Sequence, residues 1–194
     1  ARGTASNRWR GGPNAARRRP SHPPVNCFRC RMSDRPTRPD PVQPASDDAL
    51  ILVRQLLSLG HAALAWEDPD TGTPGISRIA FHRDPEAGLL TLVSGLAPHF
   101  RALRDRPDCA LMLGEVGEKG DPMTQPRLMI RARASFVAQN DPARPGLRSR
   151  WLERNPKATI YIDLPDFAFV RLTPVSGLLN GGFARAFHLR PEDL

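Results

Sequence analysis

The stretch at residues 127–137 sets the strongest constraint on the fold. Leu128, Ile130, Ala132 and Ala134 alternate there with Arg127, Met129, Arg131 and Arg133. A period of two belongs to a strand with one face in a core and the other in water, and it does not make a one-sided helix. Such a strand needs partners. Residues 61–67, 75–83, 89–94, 109–115, 160–162 and 167–172 read as strands as well. The first three are linked by turns of Asp, Pro and Gly at 68–72 and 84–88, which predicts a meander.

Helices are few. Ser46 can cap a helix whose first turn holds Asp47 and Asp48, with Leu50, Val53, Leu56, Leu57 and Leu59 on one side and Gly60 as its stop. Shorter helices are expected at 97–106 and 147–154. Many strands in series with few helices between them imply a mainly β protein, an antiparallel barrel with flanking helices, rather than a parallel α/β sheet.

Charge divides the chain. Its 28 Lys and Arg against 20 Asp and Glu give +8, a balance that suggests a nucleic-acid binder. Eight of those arginines lie before Met32, where there is no acid, so 28 − 8 = 20 bases face 20 acids from Met32 onward. The body is neutral, and no nucleic-acid partner is expected. The first 45 residues hold eight of the 21 prolines and no apolar period, so they read as a disordered Arg/Pro-rich tail, with the folded domain at 46–194. Residues 1–31 have two readings: sequence upstream of a true start at Met32, or a basic arm. Cys27 and Cys30 have the spacing of half a zinc site, but with only His22 nearby they read as incidental. No run approaches the roughly 20 apolar residues of a membrane helix. Three scattered cysteines fit a reducing compartment, so a soluble, cytoplasmic protein without a membrane partner is expected.

The sequence lacks a Ser-His-Asp order, a P-loop and a His-Glu-x-x-His motif, the minimum parts of the common hydrolases and nucleotidases. Arg78 and Arg83 lie on or at the end of one strand, and Ser94, His99 and Arg101 follow the next. Guanidinium forks and a hydroxyl converging on one edge would suit a phosphate monoester. The plainer reading is arginines solvated on a barrel surface.

The order of these residues adds to that reading. Arg78-Ile79-Ala80-Phe81-His82-Arg83, Val93-Ser94-Gly95-Leu96-Ala97-Pro98-His99, Gly120-Asp121-Pro122, Arg127-Leu128, Asp166-Phe167-Ala168 and Asn180-Gly181-Gly182-Phe183-Ala184-Arg185-Ala186 follow one another in sequence. Together they resemble the pyridoxamine 5'-phosphate oxidase-like, FMN-binding split barrels, and more closely their haem-utilisation branch. The resemblance implies a six-stranded antiparallel split barrel that dimerises and holds FMN across the dimer interface. Carried over by position, Arg78 would meet the flavin phosphate or ribityl chain and Ser94 the phosphate. His99 and Arg101 would complete the anion site, Arg127 would approach the isoalloxazine ring, and Asn180-Gly181 would offer backbone N–H groups nearby. Arg83 falls where the oxidase contacts its substrate's phosphate. Phe100 and Ala102 depart from the branch, which has polar residues there, and the branch's C-terminal haem-binding domain is not expected after Leu194.

Three functions follow for test. The first is an FMN-dependent oxidoreductase homodimer acting on a small molecule, with no acid or base assigned. The second is a haem-binding or haem-utilisation protein on the same barrel, for which His99 or His188 would supply the axial ligand. The third is a barrel that has lost its cofactor and serves as a dimeric interaction module.

Overall fold

The computed structural model describes residues 42–182 and 185–194. The expected tail up to residue 41, with Cys27, Cys30 and Met32, lies outside the described residues, as do Phe183 and Ala184.

The order of elements is β1 (Gln43–Pro44), α1 (Asp47–Leu57), β2 (His61–Glu67), β3 (Pro74–Ala80), β4 (His82–Asp84), β5 (Gly88–Ser94), α2 (Pro98–Asp105), β6 (Asp108–Leu113), β7 (Arg127–Phe136), α3 (Arg144–Arg154), β8 (Phe167–Asn180) and β9 (Ala186–Leu189). Helix α1 starts as its sequence dictates. The Ser46 hydroxyl accepts the Ala49 N–H at 3.3 Å, and Ala49, Val53, Leu56 and Leu57 are buried. On β7 the alternation holds, with Leu128, Ile130, Ala132 and Ala134 buried.

Strand β8 organises the sheet. Along one side its residues 170–180 pair antiparallel with the whole of β7, with a bulge between Arg131 and Ala132. On the other side Phe167–Arg171 pair with β5, and Gly177–Asn180 pair with β9. One path runs β1-β9-β8-β7-β6-β2-β3, and β5 with its hairpin partner β4 leaves from the same strand. This branching gives the split barrel. The main core lies between α1 and these strands, and a second core packs Leu147 and Trp151 of α3 on Leu90, Leu92 and Phe169.

The fold class is as expected: mainly β, antiparallel apart from the β1–β9 pair, with three helices. Among the described residues nine strands replace the expected six. Three of them, β1, β4 and β9, have only two to four residues, and the other six are the long strands. The strand expected at 75–83 breaks at Phe81, which is fully buried and donates its N–H to the Gly60 carbonyl. Past the break β4 pairs with β5, and β5 pairs with β8 instead of returning to β3, so the expected meander stops after the β2–β3 hairpin. Residues 160–162 are not a strand. Ala158, in a 3-10 segment over Pro156–Ile160, and Ile162, in the turn after it, are four residues apart and both buried, and the Ile162 N–H donates to the Ala158 carbonyl, so burial at helical spacing overrides the β-branched side chains. The strand expected to end at 172 continues to Asn180. Gln43 and Pro44, expected in the tail, pair with Phe187 and His188.

Candidate functional site

The β2–β3 hairpin docks on α2 through polar side chains. Trp66 Nε1 donates to Ser77 Oγ at 3.0 Å, and the same oxygen stands 3.0 Å from His99 Nδ1. The Ser77 hydroxyl either donates to Nδ1 or accepts from it, according to the His99 tautomer. Burial pushes the His99 pKa below its ordinary value. Gly75 is required for this arrangement, because a Cβ there would come within 2.3 Å of the Trp66 ring. Arg101, expected to reach an anion, forks onto Asp70 at 2.7 and 2.8 Å.

Ser77 and Arg78 are consecutive on a strand and point to opposite faces. His99 and Arg78 are therefore not brought together on one face. Arg78 is exposed and lies opposite Ala63, while Ile76, 77% exposed, lies opposite Ala65. The same face continues over Ala110 and Met112 of β6 to Met129 and Arg131 of β7. It is a floor of small residues with exposed apolar side chains, Ile76 and Met112, and cations around it.

Arg127 and Asn180 are cross-strand partners at the end of β7 and β8, so the structure brings Arg127, Asn180 and Gly181 together. Arg127 donates to the Met123 carbonyl at 3.0 Å. The Asn180 side-chain oxygen accepts the Gly182 N–H, and the Gly181 N–H goes to the Arg185 carbonyl. Arg127 shares the face of Arg78, and three strand spacings put their backbones roughly 15 Å apart. Ser94 is spent inside the chain: it donates to the Asp166 carboxylate at 2.9 Å and accepts from the Leu96 N–H. Asp166 thus sets a turn, as its sequence position suggested. Arg83 stands on β4, beyond the break at Phe81, exposed and opposite Leu89 of β5.

The two departures from the branch have packing partners. Phe100 meets Phe136 edge-on with Arg104 over both rings, and Ala102 is fully buried. The Cys109 thiol is pushed up to about 12 by burial and by Asp108, which leaves it without nucleophilic thiolate. Sequence reasoning missed Ser77, Trp66 and Asp70. Period-two alternation through Arg78 would have placed Ile76 on its face, but no sequence signal pairs Arg101 with Asp70. Among the described residues, no cluster of three His, Cys, Asp or Glu could hold a metal, and no helix is long and apolar enough to cross a membrane.

A branched, mainly antiparallel sheet of this order defines a split-barrel protein. No protein-family model matches the chain. It is 32% identical over 116 residues, 60% of its length, to the non-canonical heme oxygenase HOZ, chloroplastic, of Arabidopsis thaliana, and spans 34% of that protein. A solved structure 46% identical is covered over 97% of its length, and 78% of this chain, with a TM-score of 0.69. HutZ, the haem storage protein of Vibrio cholerae, is 26% identical over 66% of this chain and 89% of its own, with a TM-score of 0.57. A pyridoxamine 5'-phosphate oxidase-type protein of Listeria innocua, 18% identical, shares the fold at a TM-score of 0.51. The chain shares the split-barrel fold of the Listeria protein and of HutZ.

Proposed function

We propose that the chain is a flavin-dependent oxidoreductase of the cytoplasm that binds FMN as a homodimer. The observation that carries this reading is Arg78, a cation without a carboxylate partner among the described residues, on an exposed sheet face floored by Ala63, Ala65 and Ala110. A flat aromatic ring fits such a floor, and a guanidinium fork fits a phosphate or ribityl oxygen. Ser94, His99 and Arg101 spend their polar atoms within the chain, so one copy offers only part of a phosphate cradle. A second copy seated on the same face would supply the rest. Its contact would cover Ile76 and Met112.

In this reading Arg78 holds the phosphate end, and Arg127 with Asn180 and Gly181 orients the far end. Bound FMN would supply the hydride and single-electron chemistry, while the protein supplies anchoring and charge. Arg83 contacts a small-molecule substrate. Freshly purified protein should be yellow, with flavin absorbance released on denaturation. Colourless protein that takes up no added FMN overturns this function.

A second reading, haem handling, is favoured by one observation besides the likeness to HOZ and HutZ. His188 is exposed and lines a cavity of about 470 Å3 with Arg190, whose guanidinium pairs with Glu192 and Asp193. The other axial candidate, His99, is buried against Ser77. Haem titration should then give a Soret shift that His188→Ala abolishes. A shift unchanged in that variant, or none in the wild type, removes this reading.

A further inference from the structure

Thioether sulfur is concentrated in one part of the chain. Three of its four methionines, Met112, Met123 and Met129, lie on β6, on β7 and on the loop that joins them. Met112 and Met129 are register partners on adjacent strands, so their side chains stand on the same side of the sheet with Cβ atoms roughly 5 Å apart. That side is the outer one. Leu111 and Leu113 flank Met112 and are buried, whereas Met112 is 53% exposed. Met129 is half-buried between Leu128 and Ile130, which both point inward.

Across the strands the row through the two sulfurs reads Arg78, Ala63, Met112, Met129 and Leu178. The next row along the strands reads Ile76, Ala65, Ala110, Arg131 and Ser176. Two long, unbranched thioethers thus stand side by side at the middle of a face whose neighbouring positions are alanine. A leucine pair would cover the same area without a reactive atom. Thioethers differ in that an oxidant turns them polar while the backbone beneath stays as it was.

We propose that Met112 and Met129 form an oxidation site through which peroxide loosens the contact between two copies of the chain. Hydrogen peroxide passes one oxygen atom to the sulfur: its O–O bond breaks, an S–O bond forms, sulfur loses two electrons, and water leaves. The sulfoxide oxygen is a strong acceptor, and burying it under a second copy strips it of water. In the dimer both sulfurs are covered, so peroxide reacts with the free protomer and draws the equilibrium towards it. The inference rests on the homodimer of the proposed function and deepens it by naming what regulates that contact. Cys109 does not compete for peroxide, because its thiol is pushed up to about 12.

Trypsin separates the three sulfurs, with Met112 in residues 105–119, Met123 in 120–127 and Met129 in 128–131, so mass spectrometry reads each one. Dilute full-length chain treated with hydrogen peroxide should gain one oxygen at Met112 and at Met129. Light scattering should then show the mass falling from about twice 21.4 kDa towards the single chain, with association weakened at least about tenfold. The M112L/M129L variant keeps the side-chain volume and should stay dimeric under the same treatment. Raising the protein concentration should slow oxidation of Met112 relative to Met123, which stands 68% exposed on the loop. A dimer that persists with both methionines oxidised overturns the proposal. So does an M112L/M129L variant that dissociates as the wild type does, a Met112 that stays unoxidised while Met123 reacts in the dilute chain, or a rate ratio indifferent to concentration. An untreated chain that is already monomeric overturns the homodimer reading as well, whereas each of the other failures leaves that reading in place.

Discussion

At the scale of single residues, Arg78 is the most informative position to change. Arg78→Ala should weaken FMN about ten- to a hundred-fold, the range of a charge-assisted hydrogen bond, and weaken riboflavin much less if the phosphate is its partner. Unchanged affinity for both flavins in a folded variant would remove Arg78 from the site. His99 makes a prediction about pH. Its folded pKa lies below its unfolded value near 6.5, so the unfolded chain binds more protons below about pH 6.5 and stability falls there as the solution is acidified. His82 shifts the same way, chiefly through burial and secondarily through Arg154. Urea titrations from about pH 7.5 to 5 should show the unfolding free energy dropping, and His99→Gln should flatten that slope. An unaltered slope would mean that His99 accepts its proton without opening the fold. The structure shows Arg78 exposed on β3, and its placing on a strand was legible in the sequence. The engagement of Ser94 with Asp166, 72 residues away, was not, since a sequence does not pair groups across a loop closure of that length.

At the scale of elements, α3 is tied to the β4–β5 turn by one buried carboxylate. Burial alone would raise the Asp84 pKa. The Arg150 fork and the backbone N–H groups of Ala87 and Glu86 outweigh it and hold the carboxyl below its ordinary value. Asp84→Ala should cost about 2–4 kcal/mol in chemical denaturation, because it strands the donors and unhooks α3. Glu86 pairs with the same arginine but is 74% exposed, and Glu86→Ala should leave the midpoint in place. If the two variants behave alike, the turn is not the anchor. Ser46→Ala should lower stability by about 1 kcal/mol through loss of the cap on α1. Elements with a complete local signal, β2, β7 and the start of α1, fell where the sequence put them. The break at Phe81 escaped detection because no turn residue marks it. One buried aromatic ring redirects the chain there, and burial is a property of the assembled barrel.

At the scale of the whole molecule, the apolar sheet face predicts self-association. Light scattering should give about twice the chain mass of 21.4 kDa. Ile76→Lys combined with Met112→Lys should yield monomers with unchanged secondary structure, because both side chains already face outward. A dimer that survives both charges would have to form through another surface.

The double pairing of β8 also bears on how the protein is made. β5 precedes its long partner by some 70 residues, and β7 waits for the same strand. During synthesis at about 5–20 residues per second, both therefore leave the ribosome with open apolar edges for several seconds. A nascent chain stalled before Phe167 presents two strands, each with one edge unpaired, to its neighbours on a polysome, and that interval is where a chaperone would find it.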